Sequence, residues 1–151
     1  MKQIKQIMNE EGEVFVSIFS DPEQSLLMDI WNGNFGEPDN VAAVLAYSLG
    51  EVAAKKHRYW LSDVSTIDGP LEKGSQAAIR MFELMLDETR LQKFAFVTTR
   101  KASAERRTLV KTLAKKGIEV GTFATYPAAM EWLLVPDLSE EIWDGLPVIN
   151  F

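Results

Sequence analysis

The N-terminal part of the chain alternates between two side-chain faces with the period of a β-strand. In residues 14–19 and 26–31 the side chains change face at every residue, and both faces are apolar enough to be covered. The link between these stretches, residues 20–25, is too short for a crossover, which predicts an antiparallel hairpin. A weaker strand or extended arm is predicted before it, at residues 3–8.

Beyond residue 38 the period changes to that of amphipathic helices, which alternate with short apolar runs. The predicted helices cover residues 38–56, 71–87 and 103–116 and a short stretch from Pro127, and the predicted strands cover residues 58–64, 93–98 and 118–123. This order predicts an α/β domain over residues 1–135. Its sheet is expected to be a single mixed, mostly parallel layer with an N-terminal antiparallel hairpin and crossover helices.

The strand at residues 58–64 is predicted to be central, because it carries few charges around Trp60 and is followed by turn residues from Ser65 onward. In open, mostly parallel sheets, ligands and partners gather beyond the carboxyl ends of the strands. We therefore predict a binding rim formed by Asp63, Ser65 and Asp68. Capping of the following turn is the ordinary role of an aspartate at such a place.

Composition limits the possible classes of function. A chain of 151 residues with 46% apolar content has the size of one domain with a single core. The net charge of −6 argues against nucleic acid as the main partner, because phosphate neutralisation supplies most of the affinity there. The chain lacks cysteine, and it has no apolar segment suited to secretion or to a bilayer span, so we expect a cytoplasmic protein.

Charge is distributed unevenly along the sequence. Residues 100–116 contain seven cations and one acid, a local charge of +6 against −12 for the remainder of the chain. Arg107, Lys111 and Lys115 recur at four-residue spacing on one face of the predicted helix. A solvated helix face is the usual explanation. The functional alternative is a docking surface for an acidic partner, an anionic lipid headgroup or the acidic part of a neighbouring subunit.

Aromatic and methionine side chains are candidates for an apolar pocket. Flexible thioethers and large rings can line a cavity of adaptable shape, although such residues more often form only the core. The pocket candidates are Trp31, Trp60, Met81, Met85 and Trp132.

The C-terminal segment, residues 136–151, is too apolar to remain free in water. Burial of one Trp or Phe side chain contributes about 1.5 to 3 kcal/mol, enough to hold a segment of this length on a surface. We predict that this tail docks on the domain or on a second protomer of a homodimer, or covers an apolar pocket.

Four groups of residues, in order along residues 14–134, resemble the SpoIIAA-like family of STAS-fold proteins. They are Trp31-x-Gly33, Trp60-Leu61-Ser62-Asp63, Phe94-Ala95-Phe96-Val97 and Ala129-x-x-Trp132-Leu133. The resemblance implies a succession of strand-and-helix turns around a mixed sheet. It also implies one of two roles: a regulator that binds anti-sigma-factor kinases and is switched by serine phosphorylation, or a carrier of apolar ligands that can associate with membranes.

The sequence departs from the regulatory pattern at the expected phosphoacceptor. That serine would open the helix after the central strand, where this chain has Ile67-Asp68-Gly69-Pro70-Leu71. Ser75 would lie a turn inside the helix, where a phosphate loses the benefit of the free amide groups at the N-terminus. We therefore expect no phosphorylation switch of this kind.

Candidates for catalysis are few. His57, the single histidine, is expected to be a solvated residue at a helix end, with no nucleophile placed by the sequence to use it. One histidine without cysteine offers too few ligands for a transition-metal site, and no glycine-rich phosphate loop is present. We predict no metal, no cofactor and no enzyme activity. An acid pair at Asp63 and Asp68 is the remaining catalytic alternative.

Two functions from different classes follow from these observations. The first is a non-enzymatic STAS-like module that binds a protein partner or a second copy of itself as a homodimer. The second is a carrier of a small apolar ligand, with association at a membrane surface. A small molecule that co-purifies with the protein would favour the carrier, and a stable complex with a cellular protein would favour the partner-binding module.

Overall fold

The computed structural model describes residues 1–68 and 72–135, which form one mixed sheet with helices on both faces. The strands are β1 (Lys2–Met8), β2 (Val14–Asp21), β3 (Leu26–Gly33), β4 (Tyr59–Ile67), β5 (Lys93–Val97) and β6 (Glu119–Phe123). The helices are α1 (Pro38–Lys55), α2 (Glu72–Met85), α3 (Ala104–Lys115) and α4 (Tyr126–Leu134). In the sheet the strands lie in sequential order from β1 to β6.

The three N-terminal strands form an antiparallel meander. β1 pairs with β2, and β2 pairs with β3 in a register that places Ile18 opposite Asp29. A 3₁₀ turn at Pro22–Gln24, capped by the side chain of Asp21, connects β2 to β3. Because this link is too short for a crossover, β3 must run antiparallel to β2.

The remaining strands are parallel. β3, β4, β5 and β6 pair in parallel register, and one helix connects each strand to the next. Parallel neighbours need such crossovers, and a series of crossovers in one direction adds each new strand beside the last. α1 packs against α2 and α2 packs against α3, so these three helices form a layer on one face of the sheet.

Each face of the sheet has its own core, because successive side chains of a strand point to opposite faces. The face under α1, α2 and α3 buries the larger cluster, in which Trp60 and Leu113 are fully buried. The opposite face buries a smaller cluster that includes Leu26 and Leu61. α4 packs on this second face against β4, β5 and β6 and buries Leu133 there.

The predicted architecture is confirmed by the structure. The hairpin, the parallel strands and the crossover helices are present, and β4 lies between β3 and β5 as the predicted central strand. The prediction of a turn from Ser65 onward is wrong at its first residues. β4 continues to Ile67, because Thr66 and Ile67 still pair with the end of β3 beyond an irregularity in the register.

The expectation that His57 is solvated is also wrong. Lys56, which follows α1, adopts a left-handed conformation with φ of 57°, and this reversal ends the helix. The backbone amide of His57 then donates a hydrogen bond to the carbonyl of Val52 at 3.0 Å, and the His57 side chain is fully buried.

Two predictions lie outside the described residues. They are the docking of the tail at residues 136–151 and the start of the second helix at Leu71.

Candidate functional site

A pocket of about 90 Å³ lies between the sheet and the layer of α1, α2 and α3. Six aromatic side chains line it: Trp31, Phe35, Trp60, Phe82, Phe94 and Phe96. Aliphatic residues of the three helices and the strands add to this wall, and its polar side chains are Asp29, Ser62, Ser75 and Arg106. Apolar cavities with a few convergent polar groups are the usual form of small-molecule sites.

The pocket extends along the sheet under the helices. Trp60 and Phe94 of its wall are the second residues of β4 and β5, whereas Ile67 and Phe96 lie at or near the carboxyl ends of the same strands. The wall therefore reaches the edge beyond which open α/β sheets usually bind their ligands, but most of it lies beneath the helical layer.

Asp29 is the centre of the polar part of the wall, and it is 1% exposed. Its Oδ1 accepts hydrogen bonds from Trp31 Nε1 and Ser62 Oγ, both at 2.5 Å, and its Oδ2 accepts one from Trp60 Nε1 at 2.6 Å. The parallel register explains this cluster, because Asp29 lies beside Ser62 and the two tryptophans lie two residues away on the same face. Two indoles and one hydroxyl hold the carboxyl group in a fixed orientation.

Burial raises the pKa of Asp29 to about 6, from an ordinary value of 3.8. The hydrogen bonds from Ser62, Trp60 and Trp31 favour the charged form and oppose this rise, whereas the negative charge of Asp63 adds to it. No cation of the described residues forms an ion pair with Asp29. At neutral pH the group is therefore mostly a carboxylate. Among the described residues, its charge is stabilised by hydrogen bonds from neutral donors and by no ion pair.

The aromatic side chains of the wall pack on one another. The ring centroid of Trp60 lies 5.6 Å from that of Phe82 and 5.1 Å from that of Phe94. Phe94 lies 4.8 Å from Phe96, and it meets Phe82 edge to face at 85°. Aromatic pairs at such distances contribute about 0.5 to 1.5 kcal/mol each beyond their burial. The rings therefore form a packed cluster that stabilises this wall of the pocket.

Arg106 of α3 is the second charged residue on the wall. It is 9% exposed, and its Nη2 donates a hydrogen bond to the carbonyl of Arg100 at 3.1 Å. Arg100 in turn donates a hydrogen bond to the carbonyl of Ile67. These contacts connect the loop before α3 to the carboxyl end of β4.

The structure brings together two of the five apolar pocket candidates. Trp31 and Trp60 line the pocket and donate to the same carboxylate. Met81 and Met85 of α2 are partly buried against the larger core and lie outside the pocket wall. Trp132 packs on the opposite face of the sheet, because α4 crosses to that face.

The predicted rim residues are not part of the pocket wall. Asp63 points to the face opposite Ser62, and its Oδ1 accepts hydrogen bonds from the backbone amide and the hydroxyl of Ser65, at 3.0 and 2.6 Å. Asp68 is exposed, and its backbone amide donates to the carbonyl of Gly33 at 2.8 Å. The contact of Asp63 with Ser65 lies within β4, beside the irregularity in its register with β3. A binding role for the rim stays a prediction.

The residues of the predicted basic surface lie on the outer side of α3. Arg107, Lys111 and Lys115 are exposed, and Arg107 Nη1 donates to the carbonyl of Ala102 at 2.9 Å. The adjacent Lys116 forms an ion pair with Asp87 at 3.0 Å. Docking of a partner on this surface stays a prediction.

A buried serine–histidine pair lies elsewhere in the larger core. Ser20 Oγ and His57 Nε2 are 3.0 Å apart, and His57 Nδ1 has no hydrogen-bond partner among the described residues. Burial lowers the pKa of His57. A catalytic pair needs an accessible nucleophile and a group that orients the base. Both side chains are buried and nothing described orients Nδ1, so the contact is structural.

Asp29 is the site residue that sequence reasoning missed. Its signal is present, because Leu27, Asp29 and Trp31 share one face of a strand whose other members on that face are apolar. An acid in such a position must be buried with partners. Trp31, on the same strand, is one of these partners. The other two, Trp60 and Ser62 on β4, are separated from Asp29 by α1, and the pattern does not identify them.

Residues 1–68 and 72–135 contain no cluster of three or more side chains suited to hold a metal ion. Within the same residues, no helix combines the length and the apolar character needed to cross a membrane.

No family model and no curated protein matches the sequence. A solved crystal structure, described as an anti-sigma factor antagonist from Mycobacterium paratuberculosis, is similar to this chain with a TM-score of 0.46 and 17% sequence identity. The similarity covers 84% of this chain and 98% of that chain. The mixed sheet with an N-terminal hairpin and crossover helices, which the resemblance to the SpoIIAA-like family implied, is present in the structure.

Proposed function

We propose that this protein is a non-enzymatic binding module that carries a small, mainly apolar ligand between its sheet and the layer of α1, α2 and α3. The supporting observation is the pocket of about 90 Å³, walled by packed aromatic rings around one buried carboxylate. The wall presents apolar side chains that a ligand in the pocket would cover. A ligand that binds the folded state there stabilises it.

The polar groups of the pocket favour binding over catalysis. The hydroxyl of Ser62 is directed to Asp29, and the N–H groups of Trp31 and Trp60 are directed to the same carboxylate. Acyl transfer needs donors aimed at a developing negative charge. Here the two indole donors are engaged, and a carboxylate next to the reacting group would oppose that charge.

The proposal is tested by filling the pocket. Ala78 of α2 lines the pocket and is 8% exposed, so Ala78→Leu adds three carbon atoms to the space. Ala46 is exposed on α1, and Ala46→Leu is the matched control for the same change on a helix. Isobutanol serves as the neutral probe in an NMR titration that follows the indole N–H signals of Trp31 and Trp60.

We expect saturable shifts of both indole signals in the wild type and in Ala46→Leu, and none in Ala78→Leu, whose folding is checked by circular dichroism. Native mass spectrometry of protein purified from cells should show a bound small molecule in the first two proteins and none in the third. Binding of the probe by Ala78→Leu as in the wild type, or no binding by the wild type, would refute the proposal.

A second candidate function is the docking of an acidic protein partner on the exposed face of α3. The observation that favours it is the exposure of Arg107, Lys111 and Lys115 in a protein of net charge −6. Rim charges mainly set association rates and their dependence on salt. A Lys111→Glu variant should therefore bind such a partner more slowly and with weaker salt dependence. Equal association rates for the variant and the wild type would exclude this surface.

A further inference from the structure

We propose that the ligand of this pocket is a small organic cation, an amine with a compact apolar body, whose ammonium group pairs with Asp29. This inference rests on the proposed function, because it names the chemical class of ligand for the same pocket. The carboxylate favours a positive charge there, and the aromatic wall suits an apolar body.

The carboxylate of Asp29 retains an unused acceptor position. Its Oδ1 accepts two hydrogen bonds and its Oδ2 accepts one. An ionised carboxyl group offers about four acceptor positions, so one position on Oδ2 remains. Asp29 is itself part of the pocket wall, and the proposal assigns this remaining position to a donor inside the pocket.

Charge decides between possible ligands. A neutral ligand leaves Asp29 without an ion pair among the described residues, and an anion placed against Asp29 would be repelled by it. An ammonium group supplies both a donor and a positive charge directly at the carboxylate, which Arg106, elsewhere on the wall, does not. Hydrogen bonds between two charged groups are roughly twice as strong as those between neutral groups.

The aromatic wall suits the apolar body of the ligand. Trp31 and Trp60 direct their N–H edges to Asp29, and the rings of Phe82, Phe94 and Phe96 lie on the same wall. A ligand whose ammonium group pairs with Asp29 would therefore place its carbon atoms against apolar ring surface.

The volume of the pocket limits the size of the ligand. An apolar cavity of about 150 Å³ holds benzene, and this pocket measures about 90 Å³. In proportion, this pocket holds about four non-hydrogen atoms. Isobutylamine, with five, is slightly larger than this and is a suitable upper limit for the probe.

Other charged groups near Asp29 come from two elements. Asp63 of β4, on the opposite face, adds negative potential. Arg106 of α3 adds positive charge to the wall, and it lies outside ion-pair distance of Asp29. α1 and α2 contribute apolar side chains and Ser75 to the wall. The carboxylate is thus the one acid among the described residues of the wall.

The test compares three probes with the same branched carbon skeleton, isobutylamine, isobutanol and isobutyrate. At about pH 8 the amine is protonated and Asp29 is ionised, because their pKa values lie near 10.4 and 6. Dissociation constants are taken from the indole N–H signals of Trp31 and Trp60. We expect isobutylamine to bind about tenfold more tightly than isobutanol or better, and isobutyrate not to bind.

Asp29→Asn keeps the shape of the side chain and removes its charge. In this variant the advantage of the amine over the alcohol should disappear. Equal binding of amine and alcohol by the wild type would overturn the inference and leave the proposed function intact. Absence of binding for all three probes would contradict the proposed function itself.

The wild type alone provides a second measurement if Asp29→Asn does not fold. At about pH 5 the carboxyl group is mostly protonated, and the advantage of the amine should shrink severalfold relative to about pH 8. An advantage that stays the same at both pH values would overturn the inference, because another group would then hold the cation.

Discussion

Asp29 combines near-complete burial with three hydrogen-bond donors that favour its charged form. A buried carboxylate without partners would cost several kcal/mol, and such groups persist where their surroundings hold them. Here Trp31, Trp60 and Ser62 provide that support because the register of β3 and β4 brings them to one face. An apolar residue would suit a purely structural core, so the acid is the residue whose presence most needs a functional explanation.

The elevated pKa of Asp29 makes stability depend on pH. The folded state binds the proton more tightly than the unfolded state, since the pKa is about 6 in one and near the ordinary 3.8 in the other. The contribution of this group is therefore most favourable below about pH 4, and about 3 kcal/mol is lost as the pH rises to about 6. The stability of Asp29→Asn should lack this pH-dependent contribution.

Urea denaturation of the wild type and Asp29→Asn at about pH 4 and pH 6.5 measures the difference directly. Wild-type stability should fall relative to that of the variant as the pH rises. A difference between the two proteins that does not change with pH would show that the carboxyl group titrates normally.

His57 should have the opposite effect. Burial lowers the pKa of the folded histidine below its ordinary value of 6.5, so unfolding takes up a proton at acid pH. Stability from this group is complete well above pH 6.5 and is lost as the pH falls below it. Relative to His57→Gln, the wild type should lose stability between about pH 7 and pH 5.

The same comparison cancels the contribution of Asp29, which both proteins share. Denaturation curves of the two proteins at both pH values provide the measurement. If the wild type did not lose stability relative to His57→Gln over this range, the histidine would have to be accessible to protons in the folded state.

At the scale of the elements, local pattern predicted the sheet and its helices well. Alternation in residues 14–19 and 26–31 together with a short link allows only an antiparallel hairpin. The helical stretches between later strands require parallel neighbours. These are properties of consecutive residues, and for that reason the sequence alone is enough to predict them.

The composition of the site could not be predicted in the same way. The contact of Asp29 with Ser62 depends on the register between two strands that are separated by the whole of α1. Trp132 shares the aromatic character of Trp31 and Trp60, and only the packing of α4 on the second face separates it from them. The type of a side chain is therefore enough to name candidate pocket residues. Which of them line the pocket depends on the register between strands that are far apart in the sequence.

The contact between α1 and α2 depends on a small residue. A Cβ atom at Gly74 of α2 would lie 2.8 Å from Val41 Cγ2 and 3.5 Å from Phe35 Cζ. Val41 is stiff and buried, so Gly74→Ala should force the helices apart at the pocket wall. Overpacking costs about 1 to 3 kcal/mol, which exceeds the gain of about 1 kcal/mol in helix propensity.

Gly50 of α1 provides the matched control, because a Cβ atom there would meet nothing within 4 Å. Gly50→Ala should stabilise the protein by about 0.5 to 1 kcal/mol, and Gly74→Ala should destabilise it. Thermal and urea denaturation of both variants provide the comparison. Equal stabilisation by the two substitutions would mean that the helices do not approach as closely as the structure has them.

At the scale of the whole molecule, the two faces of the sheet differ in role. One face packs α4 tightly on β4, β5 and β6, whereas the other encloses a pocket and a buried charge under three helices. The basic surface of α3 lies on the outer side of this helical layer. The buried charge and the pocket, on which the proposed function depends, thus lie on the face under the helices.

A crystal structure of the full chain soaked with isobutylamine at about pH 8 would show whether Asp29 binds an amine inside the pocket. We expect electron density for the amine between the sheet and the helices, with its nitrogen about 3 Å from Asp29 Oδ2 and its carbon atoms against Trp31 and Trp60. A pocket that stays empty at saturating amine, or an amine bound elsewhere on the protein, would contradict this expectation.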